Sequence, residues 1–332
     1  MPTPAPTPAP EVLRYNDAAV ARAARVIADG GIVAVPTETV YGLAADATDG
    51  AAVARIYAAK GRPGFNPLIV HVLNQGAAEA LAEFDDDARA LAAAFWPGPL
   101  TLVLPLRAGA PIAGLVTAGL PTVAIRVPDH RAMRALLLAT NKPLAAPSAN
   151  RSNGISPTRA EHVAASLGAA VPLILDDGPT RAGLESTIVQ GRRVLRPGPI
   201  TTEEIETVLF SREGGNPVRP AGLGSRLRGS TDAGDPTTPT APGQLLSHYA
   251  PAKPLRLDAT EAASDEWLIG FGTVAGDDSL SPSGDLIEAA ARLFDALHRA
   301  DASARPRIAV APIPRAGIGE AIDDRLRRAA HA

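Results

Sequence analysis

Two cationic side chains, Lys60 and Arg62, lie on either side of Gly61 and directly before Pro63. A guanidinium can bind phosphate oxygens through two parallel hydrogen bonds, and an ammonium adds a compact point charge. Gly61 leaves the backbone open to close approach by a ligand. The same pair is also typical of a solvated helix C-terminus, where the helix dipole favours cations. The spacing alone therefore favours a phosphate site and a helix end about equally.

Two further polar segments follow strands that the sequence predicts to be buried. Residues 36–43 (PTETVYGL) come directly after the apolar strand Ile32–Val35, and loops at strand ends commonly carry ligand-binding groups in α/β proteins. Residues 147–156 are rich in serine and asparagine, whose donors can point at phosphate or carboxylate. The alternatives are the N-cap of a short helix for the first segment and an ordinary capping loop for the second.

Charged and polar residues also occur within or beside apolar strands. Arg126 lies inside the apolar run 122–127, where a charge is costly unless it is paired or bound to an anion. Arg196 ends a predicted strand and can reach a ligand, as can residues 185–187. His71 alternates with apolar neighbours, and on this pattern alone a structural histidine is favoured over a ligand. Together these segments predict an anion site of scattered cations and hydroxyls without an obvious nucleophile.

The composition of the 332 residues excludes several classes of protein. There is no cysteine, which rules out a disulfide scaffold, an iron–sulfur cluster, a thiolate zinc site and a cysteine nucleophile. The 32 Lys and Arg against 35 Asp and Glu give a net charge of −3, which argues against a general nucleic-acid coat protein. No phosphate-loop, dinucleotide, HExxH zinc or nucleophile-elbow motif is present.

Hydrophobic periodicity predicts an α/β or α+β unit from residue 16 to about 209. The predicted strands are Ile32–Val35, Leu68–Leu73, Leu100–Leu106, Thr122–Val127, Leu144–Ala146, Leu173–Leu175, Thr187–Val189 and Val194–Arg196. The predicted helices are a first one from Asn16 or Asp17 to Gly30, then Asp49–Lys60, Asp85–Phe95, His130–Ala139 and Thr158–Leu167.

The ends of this unit differ in composition. Residues 1–15 begin MPTPAPTPAP, which predicts a disordered proline-rich tail rather than a signal peptide. Residues 210–250 are a predicted linker, because glycine, proline and polar residues replace the periodic pattern. Residues 251–332 return to a β-α-β-α order, which predicts a small Rossmann-like unit. No apolar run approaches the about 18–20 residues that span a bilayer, so we expect no membrane contact and a cytoplasmic location.

Seven stretches in order resemble one known family. They are PTETVYGLAADA (36–47), KGRP with NPLIVHV (60–72), FWPGPLTLVL (95–104), TVAIRVPDH (122–130), PSANRSNGISPT (147–158), ESTIV (185–189) and RPGPI (196–200). Together they are similar to the Sua5/YrdC/YciO family, whose paired motifs K-x-R and S-x-N are present as Lys60/Arg62 and Ser148/Asn150. The stretch 248–251 (HYAP) resembles the one that precedes the C-terminal domain of two-domain Sua5 proteins.

The resemblance implies a fold, a reaction and partners. The expected fold is a twisted YrdC-like α/β domain around a large, positively lined cavity, with a small Rossmann-like Sua5 C-terminal domain. The expected enzyme is an L-threonylcarbamoyladenylate synthase, which converts L-threonine, bicarbonate and ATP to threonylcarbamoyl-AMP and pyrophosphate in the first step of tRNA t6A37 synthesis. Mg2+ would accompany ATP, with no organic cofactor. A downstream transferase complex would use the product on tRNA, and contact of this chain with tRNA or double-stranded RNA would be weak.

The resemblance also implies roles for individual residues. Lys60 and Arg62 would be catalytic and would bind ATP, and Tyr249 with the preceding linker would serve as a lid. The expected L-threonine site consists of Thr37, His71, Arg126, Ala146 and Ser186. The expected ATP site consists of Lys60, Arg62, Asn66, Thr122, Ser148, Asn150, Ser156 and Arg196. Residues 243–248 depart from the family pattern, because they lack the Tyr-Arg pair often found just before HYAP.

Two other functions fit parts of the pattern. A non-catalytic factor that binds double-stranded RNA or tRNA would use the basic concave surface expected of the family. The net charge of −3 and the 4% of aromatic residues weigh against it. The carbamoyl-adenylate chemistry of hydrogenase maturation proteins would need zinc-finger modules, and the chain has no cysteine to build them.

Overall fold

The computed structural model describes residues 9–211 and 248–331, which form a large sheet-based unit and a smaller C-terminal unit. The strands of the large unit are β1 (Glu11–Arg14), β2 (Val33–Pro36), β3 (Tyr41–Asp46), β4 (Ile69–His71), β5 (Leu100–Pro105), β6 (Thr122–Arg126), β7 (Leu144–Ala145), β8 (Leu173–Asp176), β9 (Thr187–Gln190) and β10 (Arg193–Arg196). Its helices are α1 (Asp17–Ala28), α2 (Gly50–Lys60), α3 (Gln75–Glu79), α4 (Asp86–Phe95), α5 (Gly114–Thr117), α6 (Arg131–Thr140), α7 (Ala160–Leu167) and α8 (Thr202–Ser211).

The ten strands form one mixed sheet in the order β1-β8-β2-β3-β7-β4-β6-β5-β9-β10. Strands β4 and β6 are parallel, and their register places His71 opposite Arg126. Strands β2 and β3 form an antiparallel hairpin. The turn at residues 37–40 therefore lies at the edge of the sheet where β2 ends and β3 begins. Strand β5 pairs in parallel with β9, which brings the segment after residue 184 beside the start of β5.

Local sequence signals explain where the helices begin and end. The side chain of Asn16 accepts a hydrogen bond from the backbone N–H of Ala19 at the start of α1, and Asp49 caps α2 in the same way. Helix α2 ends at Gly61, which has a φ of 59°. Glycine adopts this left-handed conformation without strain. The predicted bounds of these two helices are therefore confirmed.

Three sequence expectations about the elements are wrong. The prediction of a disordered tail over residues 1–15 fails at Glu11–Arg14, because this segment forms β1 and pairs in parallel with β8. Residues 36–43 are not one loop, because Tyr41–Asp46 forms strand β3. No helix was predicted at the end of the unit, but Thr202–Ser211 forms one and buries Ile205 and Leu209 in the main core. Residues 1–8 and 212–247 lie outside the described part of the chain.

The sheet of the large unit is covered by apolar side chains on both faces. One core includes Ile56 on α2, Leu91 on α4 and Ile125 on β6. The other contains residues of α1 and α6 with the alternate side chains of β2 and β8. Strands that are buried on both faces read as nearly continuous apolar runs, which is why the polar residues within them stand out.

The C-terminal unit has a four-stranded parallel sheet in the order β11-β14-β12-β13. Its elements are β11 (Leu255–Arg256), β12 (Glu266–Gly270), β13 (Asp278–Ser279), α9 (Leu286–Ala302), β14 (Arg307–Val310) and α10 (Gly319–Ala330). The parallel order agrees with the predicted Rossmann-like unit, and only the short β13 was missed. Its apolar core continues into the large unit through Val40, Ile155 and Leu184. No helix within the described residues is long and apolar enough to cross a membrane.

Candidate active site

A cleft opens where the β2–β3 turn, the end of α2 and the segments after β7 and β8 meet. The space between its walls is about 540 Å3, part of which is open solvent. The residues that line it are Thr37, Thr39, Val40, Gly42, Arg62, Ile69, His71, Arg126, Ala146, Pro147, Ser148, Glu185, Ser186, Arg196, His248 and Tyr249.

Lys60 lies behind this cleft rather than in its lining. Its side chain is 3% exposed, and its ammonium donates hydrogen bonds to the backbone oxygens of Ser148, at 2.6 Å, and Asn150. Burial and the positive charge of Arg62 lower the pKa of Lys60 well below its usual value, whereas the oxygen acceptors favour the charged form. Lys60 therefore fixes the backbone of the 148–150 segment, and the interpretation of a solvated helix end is wrong.

Arg62 reaches the cleft directly. After the left-handed turn at Gly61, its Nε donates to the backbone oxygen of Asn66 at 3.2 Å and its Nη2 to that of Pro67 at 2.9 Å. Burial lowers the pKa of Arg62 to about 10, so it keeps its charge at neutral pH. These bonds hold the guanidinium at the cleft wall with donors to spare for an anion.

The β2–β3 turn builds a chain of hydrogen bonds that ends on Arg126. The hydroxyl of Thr37 donates to the backbone oxygen of Val40 at 2.7 Å and lies 2.8 Å from that of Thr39. Thr39 in turn accepts a hydrogen bond of 2.9 Å from Arg126 Nη1. The turn is thereby fastened to β6 across the sheet.

Arg126 is an almost fully buried cation with an anionic partner. Its Nη2 lies 2.5 Å from Glu38 Oε1, and both side chains are 4% exposed. Its Nε donates to the backbone oxygen of Gly98 at 3.2 Å. Within the described chain, the Glu38 carboxylate has no hydrogen-bond partner beyond this ion pair. The sequence predicts that a charge inside an apolar strand needs a partner, and Glu38 is that partner for Arg126. Arg126 also lines the cleft.

His71, opposite Arg126, is a neutral imidazole. Burial and the charge of Arg126 lower its pKa to about 3. Its Nδ1 is buried and has no hydrogen-bond partner among the described residues, and its side chain lines the cleft. So weak a base does not take up protons at neutral pH, but it can exchange a hydrogen bond with a polar ligand.

The opposite wall of the cleft is formed by Ser186 and Arg196. The hydroxyls of Ser186 and Thr101 are 2.7 Å apart. The Nη2 of Arg196 donates to the backbone oxygen and the hydroxyl of Ser186, at 2.9 and 3.2 Å. Arg196 is 4% exposed, and burial lowers its pKa. Two guanidinium groups, Arg62 and Arg196, therefore stand at this end of the cleft.

The segment His248–Tyr249 covers the same end. The two rings stack at a centroid distance of 4.1 Å, and Tyr249 is 1% exposed with a φ of 65°. The pKa of His248 is lowered well below its usual value by burial and by four nearby cations, Lys60, Arg62, Arg196 and Arg325. Such a concentration of positive charge favours a polyanionic ligand.

Most of the sequence-predicted site residues come together in this cleft. Nine of them line it, namely Thr37, Arg62, His71, Arg126, Ala146, Ser148, Ser186, Arg196 and Tyr249. The other four besides Lys60 do not line it: Asn66, Thr122, Asn150 and Ser156. Asn150 is fully buried and donates to the backbone oxygen of Gly154 at 2.7 Å, so it shapes the loop.

Several residues of the site were missed by sequence reasoning. Thr39 and His248 line the cleft, and Glu38 pairs with Arg126; Glu185, within the predicted segment 185–187, lines the cleft as well. Glu38 and Thr39 belong to the polar run after β2. The sequence indicates this run as a candidate site but gives these two residues no separate roles. His248 was quoted only within the family stretch, and nothing in its local pattern indicates burial.

The carboxylates at the cleft are already engaged, which bears on the predicted Mg2+. Glu38 pairs with Arg126, and Glu185 with Arg325 and the hydroxyl of Ser156. In residues 9–211 and 248–331 there is no group of three or more His, Cys, Asp or Glu side chains that could hold a metal. Mg2+ commonly needs one or two free carboxylates beside substrate phosphates. These residues do not fit a protein-held Mg2+.

Comparisons with known proteins agree with this architecture. The Sua5/YciO/YrdC family model, described as "Telomere recombination", matches residues 25–198. The chain belongs to this family. A second family model, described as the C-terminal domain of threonylcarbamoyl-AMP synthase, matches residues 200–331. The two matches together span both units of the fold.

Individual members of the family match nearly the whole chain. The threonylcarbamoyl-AMP synthase of Bacillus subtilis is 39% identical, covering 96% of this chain and 94% of its own length. That of Pyrococcus abyssi is also 39% identical, with 92% of each chain covered. A crystal structure of P. abyssi Sua5 complexed with L-threonine superposes with a TM-score of 0.81 at 37% identity, over 97% of both chains. The predicted two-domain Sua5-type fold is thus confirmed.

Buried histidines make the stability of this fold depend on pH. His71 has a pKa of about 3 and His298 about 4, and His298 Nε2 lies 3.1 Å from the backbone oxygen of Ser156. The native state therefore binds fewer protons than the unfolded state, in which the histidine pKa is near 6.5. Stability is full above that value and declines as the pH falls toward 4. From pH 7 to 5, each histidine is expected to cost about 2 kcal/mol.

Urea unfolding at pH 7 and pH 5 measures this loss. A His298→Gln variant keeps a side-chain donor at the same reach but cannot titrate, so it should lose about 2 kcal/mol less than the wild type between the two pH values. Equal losses in both proteins would contradict the assignment of His298 as a buried neutral group.

Proposed function

We propose that this chain synthesises threonylcarbamoyl-AMP from L-threonine, bicarbonate and ATP with release of pyrophosphate, the first step of tRNA t6A37 synthesis. One observation carries the proposal: a single cleft has a buried guanidinium with hydroxyls and an imidazole at one end, and two further guanidiniums at the other. The first end suits an amino acid, and the second suits a triphosphate. Bringing both anions together is the main task of the reaction.

The proposed threonine site contains Thr37, His71, Arg126 and Ala146, together with Ser186, which also contacts Arg196 of the phosphate end. Arg126 is proposed to bind the threonine carboxylate through the two guanidinium hydrogens that are not used by its bonds to Gly98, Thr39 and Glu38. Neutral His71 offers an unpartnered Nδ1 to the amine or hydroxyl of threonine. A P. abyssi relative of this chain was crystallised with L-threonine, which supports an amino-acid pocket in this fold.

The nucleotide end contains Arg62, Arg196 and Ser148 in the lining, with Lys60 and Asn150 behind them. Arg62 and Arg196 are proposed to bind phosphate oxygens of ATP. Lys60 is proposed to act from behind, by holding the Ser148 backbone in place through a hydrogen bond of 2.6 Å. Asn66, Thr122 and Ser156 are proposed to support this end from outside the lining.

The chemistry needs positioning and charge neutralisation rather than a protein nucleophile. The threonine amine attacks the carbon of bicarbonate, and water leaves as a carbamate forms. A carbamate oxygen then attacks the α-phosphorus of ATP, and the bond to the β-phosphate oxygen breaks as pyrophosphate departs. The guanidiniums stabilise the charge that develops on the phosphates, and the cleft aligns the two reactants.

Tyr249 is proposed to act as part of a lid. Its ring is 1% exposed and covers the phosphate end of the cleft together with His248. Because a carbamate decomposes readily in water, a covered cleft protects it before it reacts. The product would pass to a threonylcarbamoyl transferase complex that acts on tRNA.

Removing Arg62 is expected to weaken use of ATP far more than use of threonine. A hydrogen bond to a charged group contributes about 1.5–3 kcal/mol, so Arg62→Ala should lower kcat/KM for ATP by roughly 10- to 150-fold. Pyrophosphate release at varied ATP and varied threonine measures both constants. Arg22→Ala, an exposed change on α1, is the control and should match the wild type.

The opposite pattern would contradict the assignment of the phosphate end. If Arg62→Ala keeps the wild-type kcat/KM for ATP, or changes only the constant for threonine, Arg62 does not bind phosphate. Arg62→Lys separates charge from shape, because it keeps the positive charge and loses the planar fork.

A further inference from the structure

The segment that joins β8 to β9 is held between the two units of the protein. At Gly183, an added Cβ would lie 2.5 Å from the backbone oxygen of Ala290 on α9, so the two backbones are in direct contact. Leu184 is fully buried in the apolar core that the units share. The next two residues, Glu185 and Ser186, line the cleft. One wall of the cleft therefore rests on the C-terminal unit.

Arg325 of α10 is the polar part of this contact. It is fully buried, and its Nε donates to Glu185 Oε2 at 2.9 Å. Its Nη2 donates to the backbone oxygen of Pro197 at 3.0 Å, directly after Arg196. Its guanidinium carbon also lies 5.2 Å from the centre of the Tyr249 ring. Arg325 thus contacts three parts of the phosphate end without lining the cleft itself.

The other oxygen of Glu185 accepts a hydrogen bond from the buried hydroxyl of Ser156. Burial raises the pKa of Glu185, but the charges of Arg325 and Arg196 outweigh it and hold that pKa below its usual value. The carboxylate is thus ionised and held at both oxygens. Removing Arg325 would leave it buried with one partner fewer.

We infer that Arg325 is a positioning residue of the synthase reaction: by binding Glu185 and Pro197 it fixes the phosphate-binding wall of the cleft. This gives the C-terminal unit a function in catalysis at a site that lies on the large unit. The inference rests on the proposed function for its substrate. A family member reduced to the large unit would have to hold this wall by other means.

The test compares Arg325→Met with Arg327→Met, a change two residues away on a half-exposed side chain paired with Asp323. Binding of ATP by calorimetry and threonine-dependent pyrophosphate release are both measured. Arg325→Met is expected to weaken ATP binding and lower kcat/KM for ATP at least tenfold, with a smaller change in KM for threonine. Arg327→Met should behave as the wild type.

A double variant separates positioning from simple loss of stability. If Arg325 acts chiefly through Glu185, Arg325→Met/Glu185→Gln should bind ATP nearly as tightly as Glu185→Gln alone, with only the loss of the Pro197 contact between them. Should Arg325→Met prove too unstable to study, the comparison of the double variant with Glu185→Gln still decides the question.

Wild-type ATP binding in a folded Arg325→Met, or effects of the two changes that simply multiply, would overturn the inference. Failure of the proposed function looks different. In that case the wild type itself would release no pyrophosphate in response to threonine, whatever the variants do to ATP binding.

Discussion

Replacing Arg126 with Met is expected to lower kcat/KM for L-threonine by about 100-fold, since a charge-assisted bond to the substrate carboxylate contributes about 1.5–3 kcal/mol. The same change is expected to destabilise the fold by about 3–5 kcal/mol, because it leaves Glu38 as an uncompensated buried charge. Glu38 is 4% exposed and has Arg126 as its ion-pair partner. Pyrophosphate release at varied threonine and chemical denaturation measure the two effects.

A second change separates these two effects. Arg126→Met/Glu38→Gln removes the stranded carboxylate, so it should recover much of the lost stability while threonine use stays impaired. A double variant that regains both stability and threonine use would show that Arg126 holds the fold without binding substrate. Wild-type kinetics in the single variant would contradict the proposed carboxylate site outright.

Replacing Lys60 with Met is expected to lower turnover by about 100-fold although its ammonium does not line the cleft. The change leaves the backbone oxygens of Ser148 and Asn150 without their buried donor, and each such group costs about 1–3 kcal/mol. The 148–150 segment should then lose its fixed position at the phosphate end. Both the free energy of unfolding and kcat should fall, as measured by denaturation and pyrophosphate release.

The chain offers a matched control for this prediction. Lys142 is half exposed and lies 3.7 Å from Asp46 in a surface ion pair, a class of contact worth only about 0–1 kcal/mol. Lys142→Met should therefore leave both quantities close to wild type. A Lys60→Met protein with unchanged stability and reduced activity would instead indicate that Lys60 contacts the phosphates directly.

Sequence reasoning predicted helices best where a cap marks their ends. Helix α2 begins after Asp49 and ends at Gly61, as expected from these two residues. Strand β1 was missed because the proline-rich residues before it dominate the composition of this segment. Its pairing with β8 is a tertiary contact, which composition does not indicate. Strand β3 was missed because its residues (YGLAAD) follow directly on a polar turn that reads as a loop.

In the candidate site, the sequence likewise predicted the type of residue but not the partner that it contacts. Arg126 was predicted to need an anion because of its apolar strand, but Glu38 as that anion depends on the hairpin that brings it across the sheet. Arg325 lies in a strongly charged helix (GEAIDDRLRRAA) that reads as a solvated face. Its complete burial follows only from the packing of the two units.

We propose that one cleft binds threonine, bicarbonate and ATP together. The most direct measurement supplies the enzyme with ATP and radiolabelled bicarbonate, with and without L-threonine, and follows pyrophosphate and labelled nucleotide together. We expect pyrophosphate to appear only with threonine present, in an amount equal to that of labelled carbon in an adenylate product. Pyrophosphate release that does not depend on threonine, or an adenylate without labelled carbon, would contradict it.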